Sequence, residues 1–334
     1  MILVTGGAGF IGSNFICEWL ARYNEPILNL DALTYAGNLE NLKEVEGDSR
    51  HTFVHGNILD EQLLINLFNR FHPRAVIHFA AESHVDRSIV NPSVFVDTNV
   101  KGTTTLLNVA LHYWEQLNPE DKTSFRFINI STDEVYGSLS ESDAPKTESD
   151  PFNPSSPYSA SKAAADQFGR AYSRTYQFPV VTVRCSNNYG PNQYPEKLIP
   201  LMLTRALDDQ SLPVYGNGRQ IRDWIHVSDF CAAIRSILAS ARAGDVFNVS
   251  ANNEIPNLEL IHQLVSLLDR LSPKDDGRSR LDNIVFVKDR LGHDVRYSMD
   301  SSKLKKTLRW KPLIFINDGL KDIIKIFLQK RRIP

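Results

Sequence analysis

A chain of 334 residues has room for about two domains or one large α/β unit. Its 42% hydrophobic and 23% charged residues are the make-up of an ordinary globular protein. With 37 basic against 39 acidic residues the net charge is −2, so no electrostatic case exists for nucleic acid or an anionic membrane as partner.

MILVT reads as a first strand, and no charged, apolar leader precedes it. Gly6-Gly7-Ala8-Gly9-Phe10-Ile11-Gly12 follows directly and opens a helix over 11–22. Glycines in such a turn let backbone amides approach a pyrophosphate seated on the positive helix end. PILNLD, the second strand, ends on Asp31, ~20 residues beyond the glycines, where an acid meets a ribose 2′-hydroxyl. No arginine lies beside it to greet a 2′-phosphate, so the pattern favours NAD over NADP. A merely structural tight turn is the weaker alternative in this strand–turn–helix context. HTFVHG, AVIHFA, FRFINIS and PVVTVRCS supply four more strands, with helices expected over 60–71, 92–113 and 157–176. Such alternation predicts a doubly wound parallel sheet, and the continuous apolar runs fit strands covered on both faces. His51 and His55 fall on a strand-like segment, while His84 and His293 stand alone, so no metal site is expected.

FRFINIS runs into Thr132-Asp133-Glu134, and Tyr158 and Lys162 follow two dozen residues later. A Tyr and a Lys four apart share one helix face. The ammonium is expected to lower the phenol's pKa and make it a usable base. Pro157 suits the first helical turn. The bland alternatives are a surface Tyr with a solvated Lys, and acids that merely cap a helix or solvate a loop. Both groups fall at the carboxyl ends of strands, where open α/β sheets bind ligands. Two carboxylates beside a Tyr–Lys pair can act as general acid and general base. That combination points to an oxidation coupled to an elimination.

From about residue 187 Pro, Gly and Asn punctuate the chain more densely, and Asn187-Asn188-Tyr189-Gly190 reads as a turn. Helices are expected over 198–209, 228–241, 257–271 and 317–328, with VFNVSA as one further strand. SPKDDGRSR, from Ser272, reads as a polar surface loop and the terminal QKRR as a solvated tail. Lys197 and Arg222-Asp223-Trp224 are either a diphosphate clamp or part of a surface salt bridge. The expected fold is α/β: a Rossmann doubly wound parallel sheet over 1–186, then a smaller C-terminal α/β substrate-binding domain over 187–334. About 224–250 is expected to return to the first domain. Cys17, Cys185 and Cys231 form no CxxC and no disulfide framework, which suits the cytoplasm. No apolar run nears the ~20 residues that span a bilayer.

GGAGFIGSNF, LDALTYAGNLENL, HFAAESHVDRSI, NVKGT, STDEVYG, YSASKAAAD, RCSNNYGPNQYPEKLIP, PVYGNGRQIRDWIHVSD and RLGHDVRY together resemble the extended short-chain dehydrogenases/reductases and, within them, the dTDP-glucose 4,6-dehydratases. The resemblance runs end to end. It implies that Thr132 hydrogen-bonds the sugar 4-hydroxyl, that Tyr158 takes its proton and that Lys162 orients the nicotinamide ribose. It further implies that Glu134 removes the C5 proton made acidic by the 4-ketone, and that Asp133 protonates the departing C6 hydroxyl. The hydride goes from C4 to NAD⁺ and back to C6. Cofactor contacts implied in this way are Gly6, Gly9, Phe10, Ile11, Gly12, Asp31, Ala32, Leu33 and Thr34 from the first two strands. Asn57, Ile58, Ala80, Ala81, Ser83, Thr98 and Asn188 complete them, beside Tyr158 and Lys162. Ser83, Thr132, Asn187, Lys197, Leu198, Pro213, Tyr215, Arg222, Asn257, Arg290 and His293 are implied for a nucleoside-diphosphate sugar, dTDP-glucose in the first instance.

Two departures from the family stand out. Gly56-Asn57-Ile58 replaces a Gly-Asp-Ile run, which predicts weakened but not lost adenine binding. Leu291 replaces a proline, which predicts a looser loop around Arg290 and His293. A nucleotide-sugar 4-epimerase or decarboxylase on the same scaffold would not need Asp133 and Glu134, although a UDP-sugar remains an alternative substrate. A non-catalytic NAD-sensing relative would have lost Tyr158 or Lys162. The helices over 92–113 and 157–176 are expected to pair across a homodimer, with Leu106, Leu107, Val109 and Phe168 either at the seam or packed in the core.

Overall fold

The structure is a computed structural model that describes residues 1–332. Six strands alternate with helices in the first half: β1 (Ile2–Thr5), β2 (Ile27–Asp31), β3 (His51–His55), β4 (Ala75–His78), β5 (Arg126–Thr132) and β6 (Val180–Cys185). The second half adds β7 (Asn187–Tyr189), β8 (Leu212–Tyr215), β9 (Ile221–His226), β10 (Val246–Val249), β11 (Glu254–Pro256) and β12 (Ile284–Val287). β10 leaves the rest of that half and completes a seven-stranded sheet in the order β10-β6-β5-β4-β1-β2-β3, parallel throughout. The fold is therefore α/β, with a doubly wound parallel sheet. The order reverses at β1 and β4, and the crevice at such a reversal is where open sheets bind ligands.

Successive strand residues face opposite sides of the sheet. Ile2 and Val4 join a core beneath the helices Phe10–Arg22 and Val227–Ser240. Leu3, between them, joins the opposite core beneath Glu61–Phe71 and Thr103–Glu115. A third core sits in the smaller half, where Ile199, Met202, Leu203, Trp224, Leu264 and Leu320 pack together. There β11, β9 and β7 form a three-stranded sheet, and β12 with β8 a two-stranded one.

Several expectations need correction. Residues 92–113 are not one regular helix: Pro92–Phe95 and Thr103–Glu115 flank a wide π turn, Val96–Gly102. Asn99 inside that turn explains it. Its side chain accepts from Glu82 N at 2.8 Å and donates to Glu82 O at 2.9 Å and to Ser161 Oγ at 2.8 Å, which a regular helix would not present together. Asn187–Tyr189 is a strand paired with β9, not a turn. QKRR is the last turn of the helix Ile316–Arg332 rather than a tail. The surface loop from Ser272 ends on a buried residue, Arg280, held by Asp269 at 2.7 Å. Leu106, Leu107 and Val109 lie in the core of the single chain and cannot form a seam, whereas Phe168 is 42% exposed.

Candidate active site

β5 is buried from Phe127 to its last residue, Thr132, which caps a 3-10 turn over Asp133–Tyr136. The Glu134 amide donates to Thr132 Oγ1 at 3.3 Å, and that hydroxyl donates to Asp133 Oδ1 at 3.1 Å. The capping role thus falls to Thr132, and both carboxylates line the cleft. Asp133 is buried, and its Oδ2 has no hydrogen-bond partner. Burial, reinforced by the neighbouring Glu134, pushes its carboxyl up to about 8. Burial also raises Glu134, but there the Arg222 guanidinium and the Lys197 ammonium pull the other way. Two adjacent carboxyls with environments that differ in this way divide into a proton donor, Asp133, and a proton acceptor, Glu134.

Ser156 starts the helix Pro157–Tyr176 through a reciprocal capping box with Ser159, and Pro157 occupies the first turn. Tyr158 and Lys162 are both buried on its inner face, which removes the solvated-surface alternative. Lys162 Nζ donates to the Ile130 carbonyl at 2.7 Å, and burial draws its pKa down to about 8. The Tyr158 phenol is raised well above its ordinary value, by burial first and by Glu134 next, while the Thr132 hydroxyl counteracts. The lowered phenol expected beside Lys162 is therefore corrected: burial and the nearby carboxylates outweigh the groups that favour the phenolate, while the Lys162 ammonium gives one of its three protons to a main-chain carbonyl.

A buried network that the sequence did not announce holds these groups in register. Arg184 on β6, fully buried, pairs with Asp166 through Nε at 2.8 Å and Nη2 at 3.1 Å. Its Nη1 donates to the Tyr136 hydroxyl at 2.6 Å, which donates in turn to Asn248 Oδ1 at 2.8 Å. The network ties the Tyr158 helix, β6, the turn carrying Asp133 and Glu134, and β10 into one unit. An Arg within the apolar run PVVTVRCS was the available signal.

Two cavities meet at these residues. The first, about 300 Å³, is lined by Gly6, Gly9, Phe10, Ile11 and Gly12 of the glycine turn and by Asp31, Ala32 and Thr34 after β2. Asn57, Ile58, Ala80, Ala81, Ser83, Thr98, Thr132, Tyr158, Lys162 and Asn188 continue the wall. Of the residues implied for a cofactor only Leu33 stays off it; its amide donates to Asp31 Oδ1 at 2.8 Å. The second cavity, about 260 Å³, is lined by Asn187, Lys197, Leu198, Pro213, Tyr215, Arg222, Asn257, Arg290 and His293. Ser83 and Thr132, implied for the substrate, line the first instead. Glu134, Asn187, Gln193 and Lys197 belong to both walls, so the cavities join beside the acid pair.

The first cavity suits a dinucleotide. Gly6 has φ +73°, and a Cβ there would lie 2.6 Å from Ala80 N. A Cβ on Gly12 would lie 2.3 Å from Gly6 O, so only glycine lets the turn close against the helix start. Asp31 Oδ2 accepts from Ala8 N at 2.8 Å, yet a carboxylate has further lone pairs for a ribose hydroxyl. Ser131 Oγ, Ser186 Oγ, Asn188 Oδ1 and Gln193 Oε1 are buried along this wall with no protein partner, as the walls of a polar ligand's site would be. Asn57 Oδ1 accepts from Leu59 N at 2.9 Å, which uses one of its two lone pairs, and its amide nitrogen has no partner among the described residues.

The second cavity gathers three cations, Lys197, Arg222 and Arg290, among the carboxylates of Asp86, Glu134, Glu196 and Asp294. Lys197 Nζ donates to Ser83 O at 2.9 Å. Arg222 donates to Ile221 O at 2.8 Å and to Asp294 O at 2.9 Å, and lies 4.2 Å over the Tyr297 ring. Neither has a carboxylate partner among the described residues, and Arg222 is buried, so the surface salt-bridge alternative for them fails. Asp223 serves structure, accepting from Asn252 N and Asn253 N, both at 3.1 Å. Arg290 pairs with Asp86 at 2.6 Å, and His293 Nδ1 with Asp289 at 2.6 Å. Tyr297, which no spacing argument had singled out, places its hydroxyl 3.4 Å from Glu134 Oε2 and bonds Asp294.

Residues 3–323 match the family model described as GDP-mannose 4,6 dehydratase. The dTDP-glucose 4,6-dehydratase of Xanthomonas campestris pv. campestris (strain B100) is 51% identical over 318 residues, 95% of this chain and 90% of that protein. That of Neisseria gonorrhoeae is 46% identical, over 99% of this chain and 96% of its own length. Among solved structures, DesIV of Streptomyces venezuelae, a dTDP-glucose 4,6-dehydratase crystallised with NAD, superimposes with a TM-score of 0.89 at 44% identity, covering 99% of this chain and 97% of that one. Identity at this level across nearly the whole length, with the acid pair and the Tyr–Lys pair on the wall of one cleft, shows that the chain belongs to the nucleotide-sugar 4,6-dehydratase family, among the dTDP-glucose 4,6-dehydratases.

Proposed function

We propose that the protein is a hydro-lyase that converts dTDP-glucose to dTDP-4-keto-6-deoxyglucose, with NAD in the first cavity and the nucleotide in the second. The observation that carries this reading is the acid pair at the end of β5: Asp133, buried with Oδ2 unpartnered, stands next to Glu134 on the wall that also carries Tyr158 and Lys162. The NAD and dTDP-sugar assignments are supported by the relatives named above.

Gly6, Gly9 and Gly12 would take the pyrophosphate of NAD at the helix start, Asp31 its ribose, and Lys162 the nicotinamide ribose. A bound NAD⁺ would supply the acceptor for a hydride leaving the sugar's C4 and, once reduced, the donor of that hydride to C6. Thr132 donates to and orients the 4-hydroxyl, and Tyr158 removes its proton. Oxidation at C4 makes the C5 proton acidic, and Glu134 takes it. Asp133 delivers its own proton to the C6 hydroxyl, which leaves as water, and the proton that Tyr158 took from the 4-hydroxyl restores Asp133 before the next turnover. Glu134 then returns a proton to C5. Lys197, Arg222 and Arg290 hold the diphosphate, and the shared wall at Lys197 sets the sugar at the junction. Tyr297 braces Glu134 against Asp294.

The protein works as a homodimer in the cytoplasm on this reading. Val94, Val96, Phe168 and Tyr176, 40–54% exposed on the two helical stretches, support the first part. A monomeric mass in light scattering at micromolar concentration would overturn it. Three free cysteines support the second. Incubation with dTDP-glucose and with UDP-glucose tests the function itself. The alkali-induced absorbance of a 4-keto sugar should develop with dTDP-glucose, and its absence with both would refute the reading.

A further inference from the structure

Side chains from three separate segments are tied together across the junction of the two cavities. Thr34, Ala36 and Gly37 line the first cavity, whereas Tyr35 between them meets Tyr194 edge-on at 5.3 Å and carries the Arg87 guanidinium 4.0 Å over its ring. Arg87, on the short helix Val85–Val90, also pairs with Glu196 at 2.7 Å. The same carboxylate meets His84 Nε2 at 3.1 Å. Tyr194 belongs to the wall of the first cavity, and His84 and Glu196 to that of the second. The segment after β2, the helix after β4 and the segment before the helix Leu198–Leu207 are thus fastened to one another where the cofactor and sugar would meet.

No step proposed above uses Tyr35, Arg87 or Glu196. Their bonds suit reversible closure. The Arg87 and Glu196 side chains are 41% and 42% exposed, and an exposed ion pair is weak. A guanidinium over an aromatic face adds a second modest attraction, and its planar fork satisfies both at once. A reaction that must recover at its end what it lent to its cofactor at the start stalls if the cofactor leaves in between. We infer that Arg87, seated on Tyr35 and paired with Glu196, is a latch that slows the release of the bound dinucleotide between turnovers. The inference rests on the reading of the first cavity as an NAD site. Arg87 is a positioning residue here, with no contact to the reacting atoms.

The test is the release rate of NAD from the loaded protein, chased with an excess of a fluorescent adenine-modified analogue. Arg87→Ala and Tyr35→Ala should release NAD about tenfold faster, equivalent to ~1.4 kcal/mol. Tyr35→Phe keeps the ring and should release at the parental rate. Glu196→Gln, nearly isosteric, should release severalfold faster with unchanged thermal stability. In turnover, the alanine variants should recover activity as free NAD is added, a response that a merely misfolded variant would not give. Parental release rates in Arg87→Ala and Tyr35→Ala would overturn the latch, as would a Tyr35→Phe variant as leaky as Tyr35→Ala. A parent that binds no NAD would overturn the cofactor reading together with the latch, whereas a parent that holds NAD while the variants match it overturns the latch alone.

Discussion

The first cavity is lined mostly by residues at or just beyond the ends of β1, β2, β3, β4, β5 and β6, so the strands that make the core also make the site. The second is walled by long side chains gathered from residues 84 to 297, and its contacts bridge distant segments: Arg290 and Asp86, for example, are 204 positions apart. The difference separates two kinds of dependence. Damage to the first cavity should appear as lost folding or lost cofactor, because its geometry is the geometry of the sheet. Damage to the second should appear as lost affinity in a chain that stays folded.

The largest effect should come from the network beneath the junction. Arg184→Met leaves Asp166 buried and unpaired, and removal of one member of such a pair costs about 3–5 kcal/mol. Urea unfolding followed by circular dichroism measures this. A loss under ~1 kcal/mol would break the comparison, since it would mean that the site is not supported by the core.

Asp133→Asn should lower kcat ~10²-fold or more, the usual contribution of a general acid, with dTDP affinity unchanged in calorimetry. The parent's kcat should fall as pH climbs past about 8, where Asp133 loses its proton. The same group bears on stability. Its carboxyl titrates at about 8 when folded against an ordinary value of 3.8, so between those pH values the folded chain keeps a proton that the unfolded chain releases. Stability from this group is lost as pH rises through that window and stays level above it. Asp133→Asn should therefore melt at a higher temperature than the parent at pH 8, and a lower one would contradict the buried acid.

In the second cavity, Arg222→Met should weaken dTDP binding by ~10–100-fold, the range for hydrogen bonds to a charged group. Its stability should stay within about 1 kcal/mol of the parent, because the lost bonds are to two carbonyls, Ile221 O and Asp294 O. Titration calorimetry and urea unfolding on the same preparation decide. Equal losses in affinity and stability would erase the distinction between the cavities.

The same contrast governs what the sequence could reveal. Strand periodicity and the glycine turn are local, so β1 to β6, the glycines and Asp31 could be read directly, whereas the rest of the first cavity's wall was named only through the resemblance. Thr132, Asp133, Glu134, Tyr158 and Lys162 were legible because each sits at a strand end or on one helix face. Their electrostatics were not. That Lys162 bonds Ile130 O depends on where β5 lies against the helix, which spacing does not encode. Asn99 was hidden because its three bonds reach Glu82 and Ser161, residues distant in sequence. Short strands such as β7, β8 and β12 were missed for a related reason: three or four residues show no usable period until a partner strand defines them.

The smallest predicted effect concerns Asn57, which lines the first cavity at a position where the resemblance drawn from the sequence implies an Asp in a Gly-Asp-Ile run. Its Oδ1 already accepts from Leu59 N at 2.9 Å, an Asx turn that shapes the segment after β3. That bond takes one of the two lone pairs of the oxygen, so an adenine amino group, a donor, would meet an acceptor that is already shared. Asn57→Asp would keep the turn through one carboxylate oxygen and offer the second as an acceptor. One hydrogen bond exchanged near solvent changes binding by about 0.5–1.5 kcal/mol, so NAD should bind severalfold tighter with kcat unchanged. Calorimetry on the NAD-stripped protein measures it. Binding that is unchanged or weaker would show that residue 57 shapes its own loop and does not meet the base, and would move the adenine contact to its neighbour on the wall, Ile58.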